Sequence, residues 1–241
     1  MAKEHNVLFI PCFNDAFVPS LFEQLMSLER YGGMPRYAND RVARGKAMFS
    51  TPSEDGLLVA HGAEELGAPH WHFPVSVVIY TTTMIKDHMC QHHVMLGKVP
   101  VWFVTRDQGV THNDAFLDVF DLPYADTFTR VLFLAVNCIW VRPVAPLWRQ
   151  CLPDTVTALE VGRESFSPAL FLCPRSPVMV DLFRATKAEV THPAYTHMRF
   201  VTLALRRRCV SLGNLSKLVL YNLPRPSYLH AYTVWLVVCG M

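Results

Sequence analysis

The stretch Val7 to Gly33, VLFIPCFNDAFVPSLFEQLMSLERYGG, narrows most sharply what this chain can fold into. Val7-Leu8-Phe9-Ile10 is a short unbroken apolar run with β-branched and aromatic residues, the pattern of a central strand covered on both faces, and Pro11 closes it. Asn14 and Asp15 supply turn chemistry, and Pro19-Ser20 stand where a helix is expected to begin, near Leu21. Leu21, Phe22, Leu25 and Leu28 recur at helical spacing, while Glu23, Gln24, Ser27, Glu29 and Arg30 fall largely on the other side. Gly32-Gly33 can take the left-handed geometry that stops a helix. A buried strand feeding an amphipathic helix is how layered α/β bodies open. The expected fold class is therefore α/β, a mixed or mainly parallel sheet with flanking helices.

The rest of the chain fits that beginning. Strands are expected at Leu57 to Ala60, across Phe73 to Ile85, at Val99 to Thr105, through Arg130 to Val144 as one buried strand, and at Lys217 to Tyr221 and Tyr232 to Val238. Helical patterns occupy Asn113 to Leu122, Met179 to Val190 and Phe200 to Val210, the last with Arg206-Arg207-Arg208 near its C-terminal end, where cations are favoured. No repeat or interdomain linker is visible, so residues 1–241 read as a single α/β domain.

Composition excludes several classes. Hydrophobic residues make up 51% and charged residues 17%, which argues against disorder and for a partly apolar surface. A formal charge of +2 gives no basis for nucleic-acid binding. The cysteines at 12, 90, 138, 151, 173, 209 and 239 form no Cys-x-x-Cys pair, so reduced thiols in a cytoplasmic protein are expected rather than a disulfide framework. MAKEHNV has no apolar signal core, and the apolar runs at Val131 to Val141 and Tyr232 to Met241 fall short of the ~20 residues a spanning helix needs.

The run LFIPCFNDAFVP followed by LERYG, from Leu8 to Gly32, resembles the first βα unit of the lactate-utilisation protein A family, the Cys-Cys-Gly domain proteins related to heterodisulfide reductase subunits. The resemblance implies a cytosolic subunit of a redox complex for oxidation of lactate to pyruvate, an iron–sulfur cluster as cofactor and an iron–sulfur partner subunit. That family carries a Cys-Cys-Gly-Gln block shortly after the helix. Here GGMPRYANDRVARGKAMFS stands in its place, and Cys12 belongs to no pair, so no cluster ligand is carried over.

A second constellation is His70-Trp71-His72 followed by His88, Cys90, His92 and His93. His-x-His on a strand turns both rings to one face, and the alternation continues through His88, Cys90 and His92 if that segment is extended. His70, His72, Cys90 and His92 are the candidate metal ligands, and imidazole with thiolate favours zinc, copper or nickel. This supports an alternative, a non-enzymatic interaction or transition-metal-binding module.

An apolar strand, Pro-Cys and a helix also open many nucleotide-sugar glycosyltransferases, a third reading. That chemistry calls for Asp-x-Asp or an equivalent to hold a divalent cation against the diphosphate. Asp118-Val-Phe-Asp121 has one residue too many, and on a helix its carboxylates are expected on an exposed, solvated face. No phosphate-binding glycine motif, nucleophile elbow or His-Glu-x-x-His is present. Whether the chain is an enzyme stays open at this level.

Overall fold

The structure, a computed structural model, describes residues 4–33, 50–52, 58–60, 75–92, 101–106, 112–122, 125–136, 138–141, 143–162, 165–190, 212–214, 218–223 and 234–239. The helix expected over Phe200 to Val210, with its three arginines, lies outside them.

Strand β1 (Asn6–Cys12) is buried along its whole length and lies inside a seven-stranded sheet. Its pleat sends Leu8, Ile10 and Cys12 into one apolar layer and Val7 and Phe9 into the other. Val7, Leu8, Phe9 and Ile10 have no accessible surface, a burial that contributes about 1.5–3 kcal/mol for each side chain. Pro11 does not end the strand. It pairs in register with Tyr80, and β1 runs on to Cys12.

Helix α1 (Val18–Tyr31) follows a short 3-10 turn, Asp15–Phe17, and begins with Pro19 in its first turn. Asn14 caps the turn, its Oδ1 accepting from the Ala16 N–H at 2.9 Å. At the far end the Gly32 N–H donates to the Leu28 carbonyl at 2.8 Å, and Gly33 has φ of +61°, the left-handed conformation expected there.

The next elements are β2 (Ser50–Pro52), β3 (Leu58–Ala60), β4 (Val75–Thr81), α2 (Thr83–Gln91), β5 (Val101–Thr105) and α3 (His112–Leu117). After them come β6 (Arg130–Leu134), β7 (Cys138–Trp140), α4 (Ala145–Trp148), β8 (Val156–Gly162), β9 (Ser165–Pro174), α5 (Pro177–Val190), β10 (Leu212–Asn214), β11 (Leu218–Leu223) and β12 (Val234–Cys239). The main sheet has the order β10-β8-β9-β6-β1-β4-β5. Strands β5, β4, β1 and β6 are mutually parallel, β9 is antiparallel to both β6 and β8, and β10 is parallel to β8. It is a mixed, largely parallel α/β sheet with flanking helices, as expected.

One layer packs α1, α2, β7 and α4 against the sheet through Leu25, Leu28, Met89, Trp140 and Trp148. The other gathers Phe116, Phe133, Phe171 and Phe183, with the rings of Phe133 and Phe171 stacked at 4.1 Å.

Two expected strands are divided. Phe73 to Ile85 does not run through as one: β4 stops at Thr81, and the Thr82 hydroxyl accepts from the Ile85 N–H at 3.2 Å, capping α2. Arg130 to Val144 splits into β6, in the main sheet, and β7, which joins β11 and β12 in a separate three-stranded sheet. The Ala135 carbonyl accepts from the Cys138 N–H at 3.3 Å and folds the chain over at that point.

Candidate functional site

In open α/β sheets ligands collect outside the carboxyl ends of the strands, where the strand order reverses. Here the chain builds outward from β1 to β4 and β5, then returns to place β6 on the other side of β1. The reversal lies between β1 and β6. A cavity of about 390 Å³ opens there, lined by Pro11, Cys12, Phe13, Asn14 and Phe17 from the end of β1 and by Ala135 and Val136 from the end of β6.

Local bonding fixes its walls. The Thr81 hydroxyl donates to the Cys12 carbonyl at 2.5 Å, tying the ends of β1 and β4 together. The Phe17 N–H donates to the Asn14 carbonyl at 3.0 Å. Phe13 meets the Tyr80 ring edge-on at 5.1 Å, which connects the cavity to a charged cluster in the opposite layer.

Tyr80 and the Arg106 guanidinium both donate to Asp118 Oδ2 at 2.9 Å, and Lys187 Nζ lies 2.5 Å from Oδ1. Lys187 also reaches Asp121 at 3.3 Å, and Arg184 donates to Asp121 at 3.0 Å. Burial pushes the Tyr80 phenol up to about 12, against the lowering effect of the neighbouring Arg106 guanidinium and with the Asp118 charge adding to the rise. Asp118 is thus not the solvated helix carboxylate expected from sequence. Helix α3 ends at Leu117, and Asp118 turns inward with a side chain only 4% exposed, facing the half-exposed Arg106. The sequence shows no period that would reveal this, because the partners come from β4, the end of β5 and α5.

A diphosphate-bound divalent cation needs oxygen ligands. The cavity offers the Asn14 amide, already used to cap the turn, among apolar groups, and burial pushes the Cys12 thiol up to about 12. These residues do not fit such a cation. Of the described cysteines, Cys12 and Cys138 lie in one layer of the core with Cys90 and Cys151 packed against it, and Cys173 lies in the other. Among the described residues, no three His, Cys, Asp or Glu side chains are grouped to hold a metal ion.

Of the predicted metal ligands, His70 and His72 lie outside the described residues. Cys90 and His92 fall at the end of α2 instead of on an extended segment, so the expected alternation is lost. Cys90 is half-buried against the core, its thiol pushed up mainly by that burial, whereas His92 is exposed and sits 5.1 Å from His88, ring to ring. No helix among the described residues is long and apolar enough to cross a membrane.

No protein-family model and no curated protein matches the chain. Solved structures do. The glycosyltransferase GlyE from Streptococcus pneumoniae TIGR4 is similar with a TM-score of 0.55 at 10% identity, over 88% of this chain and 45% of that one. Its apo form gives 0.53 at 11% identity, over 88% and 46%. The apo bifunctional glycosyltransferase WbbM gives 0.50 at 11% identity, over 89% and 39%. The chain spans less than half the length of each. The fold is one that glycosyltransferases use, and this overturns the expected role as a redox subunit of lactate oxidation. The oxidoreductase reading built on residues 8–32 goes with it.

Proposed function

We propose that this chain is a glycosyltransferase-like protein that binds a sugar nucleotide in the cavity between the ends of β1 and β6. The observation that carries the proposal is the coincidence of that cavity with the reversal of strand order, in a sheet shared with glycosyltransferases. Phe13 and Phe17 offer aromatic surface to a flat nucleobase, Phe17 tied by its N–H to the Asn14 carbonyl and Phe13 set edge-on against Tyr80. Arg106, half exposed beside Tyr80, is the cation within the adjoining cluster that phosphate oxygens would meet. Recognition proceeds without a resident divalent cation, because the cavity has no carboxylates among its described lining residues.

The test is calorimetry of the full chain with UDP-glucose, UDP-galactose and GDP-mannose, each in EDTA and in manganese. Binding of at least one, equal in both buffers and abolished by Ala135→Trp, is expected. Absence of binding to all three, or binding that Ala135→Trp leaves intact, would refute the reading.

A further inference from the structure

A second, larger hollow of about 710 Å³ lies between α1 and α2, starting beside the first turns of the two helices and sharing no lining residue with the first cavity. Its α1 side is Val18, Pro19, Phe22, Glu23 and Met26, with Asp15 from the turn before it, and its α2 wall carries, beside Ile85, Met84, His88 and His92. These last three recur at every fourth position. An α-helix turns about 400° in four residues, so they form one nearly straight row along α2. Cys90, two positions from either histidine, is turned about 200° away.

The row sets two imidazoles and a thioether along one apolar groove, and Met26 lines the facing wall. The rings of His88 and His92 are 5.1 Å apart, centroid to centroid. Two imidazoles bound through nitrogen at about 2.0–2.1 Å, near the tetrahedral angle, place their centroids roughly 5 Å apart. The pair already has the spacing of two ligands on one ion. The Phe22 ring stands edge to face with that of His92, centroids 6.4 Å apart. His92 also caps α2, where the unpaired carbonyls concentrate negative partial charge and favour a cation. Met84 is 63% exposed and Met26 42% exposed, so both thioethers can be reached from solvent.

Asp15 and Glu23 also line the hollow, but among the described residues neither is grouped with both histidines to complete a metal-holding set; imidazole with thioether is the donor set of a soft ion. We propose that His88, His92 and Met84 form a binding site for cuprous copper on the face of α2, with Met26 closing it from α1. The site is separate from the proposed sugar-nucleotide cavity and does not depend on it.

Anaerobic titration of the full chain with Cu(I), in competition with a chromogenic chelator, tests the assignment. The His88→Ala, His92→Ala double variant is expected to bind one equivalent fewer than the wild type. Met84→Leu is expected to weaken Cu(I) at that equivalent while leaving the helix content unchanged by circular dichroism. An unchanged Cu(I) stoichiometry in the double variant would overturn the site. Unchanged Cu(I) affinity in a Met84→Leu, Met26→Leu variant would overturn its thioether character.

Discussion

His5 shows how one side chain carries pH dependence into the whole fold. Its ring lies 2.8 Å from the hydroxyl of Ser76 on β4, and burial, opposed by the contact to Thr127, pushes its pKa down from 6.5 to about 4. The unfolded chain therefore takes up a proton near pH 6.5 that the native protein refuses until about pH 4. The stability associated with neutral His5 is complete above pH 6.5 and is lost as pH falls towards 4, an effect on the order of 2–3 kcal/mol. Urea denaturation at pH 7 and pH 4.5 is expected to show this loss, and His5→Gln to reduce it; an identical slope in the variant would exclude His5 as its source.

Asp118 carries a different load. Removing one member of a buried ion pair typically costs about 3–5 kcal/mol, and the low end applies here because Arg106 and Lys187 are partly in water. Asp118→Ala is expected to lower stability by about 3 kcal/mol and Tyr80→Phe by about 1 kcal/mol, both readable from denaturation midpoints. Cys12, with its thiol raised to about 12, is expected to resist iodoacetamide in the native protein and to react once urea is added.

At the scale of the element, the β1–α1 unit was legible because its signals are local: continuous apolar residues, an Asn turn, a proline and paired glycines. Gly33 tests that unit. Its φ of +61° disfavours any Cβ, and one built there would lie 3.0 Å from Pro143 Cβ. Gly33→Ala is expected to cost about 1–2 kcal/mol, lowering the melting temperature by a few degrees. Elements whose ends depend on distant partners were misread. Thr82 looks like strand by its β-branch but acts through its hydroxyl as a helix cap. The run from Arg130 to Val144 is almost wholly apolar, and its one local turn signal near the break after Ala135, where the chain leaves one sheet for another, is the single residue Asn137. Strands β8 and β9, the antiparallel pair, gave no clear signal among the prolines around them.

At the scale of the molecule, the α/β class followed from the first unit, but the site did not. It is made by the order β4-β1-β6, which brings Phe13 and Phe17 beside Ala135 and Val136 across more than a hundred residues of chain. No motif search reaches such a pair, because the residues are apolar and their meaning lies in their position at the reversal. The short resemblance to lactate-utilisation proteins misled in function for the same reason: a strand, a turn and a helix specify a way of starting an α/β sheet, and the chemistry is set by what the later strands bring to its edge.

Photolabelling tests that placement most directly. The full chain is irradiated with an azido derivative of a nucleoside diphosphate sugar that it binds, digested, and the modified peptide sequenced by mass spectrometry. Label assigned by fragmentation to Phe13, Asn14 or Phe17, or to Ala135 or Val136, is the expected result, and excess unmodified nucleotide should suppress it. Label confined to the groove between α1 and α2, or scattered labelling that excess nucleotide does not suppress, would contradict a ligand site at the carboxyl edge of the sheet.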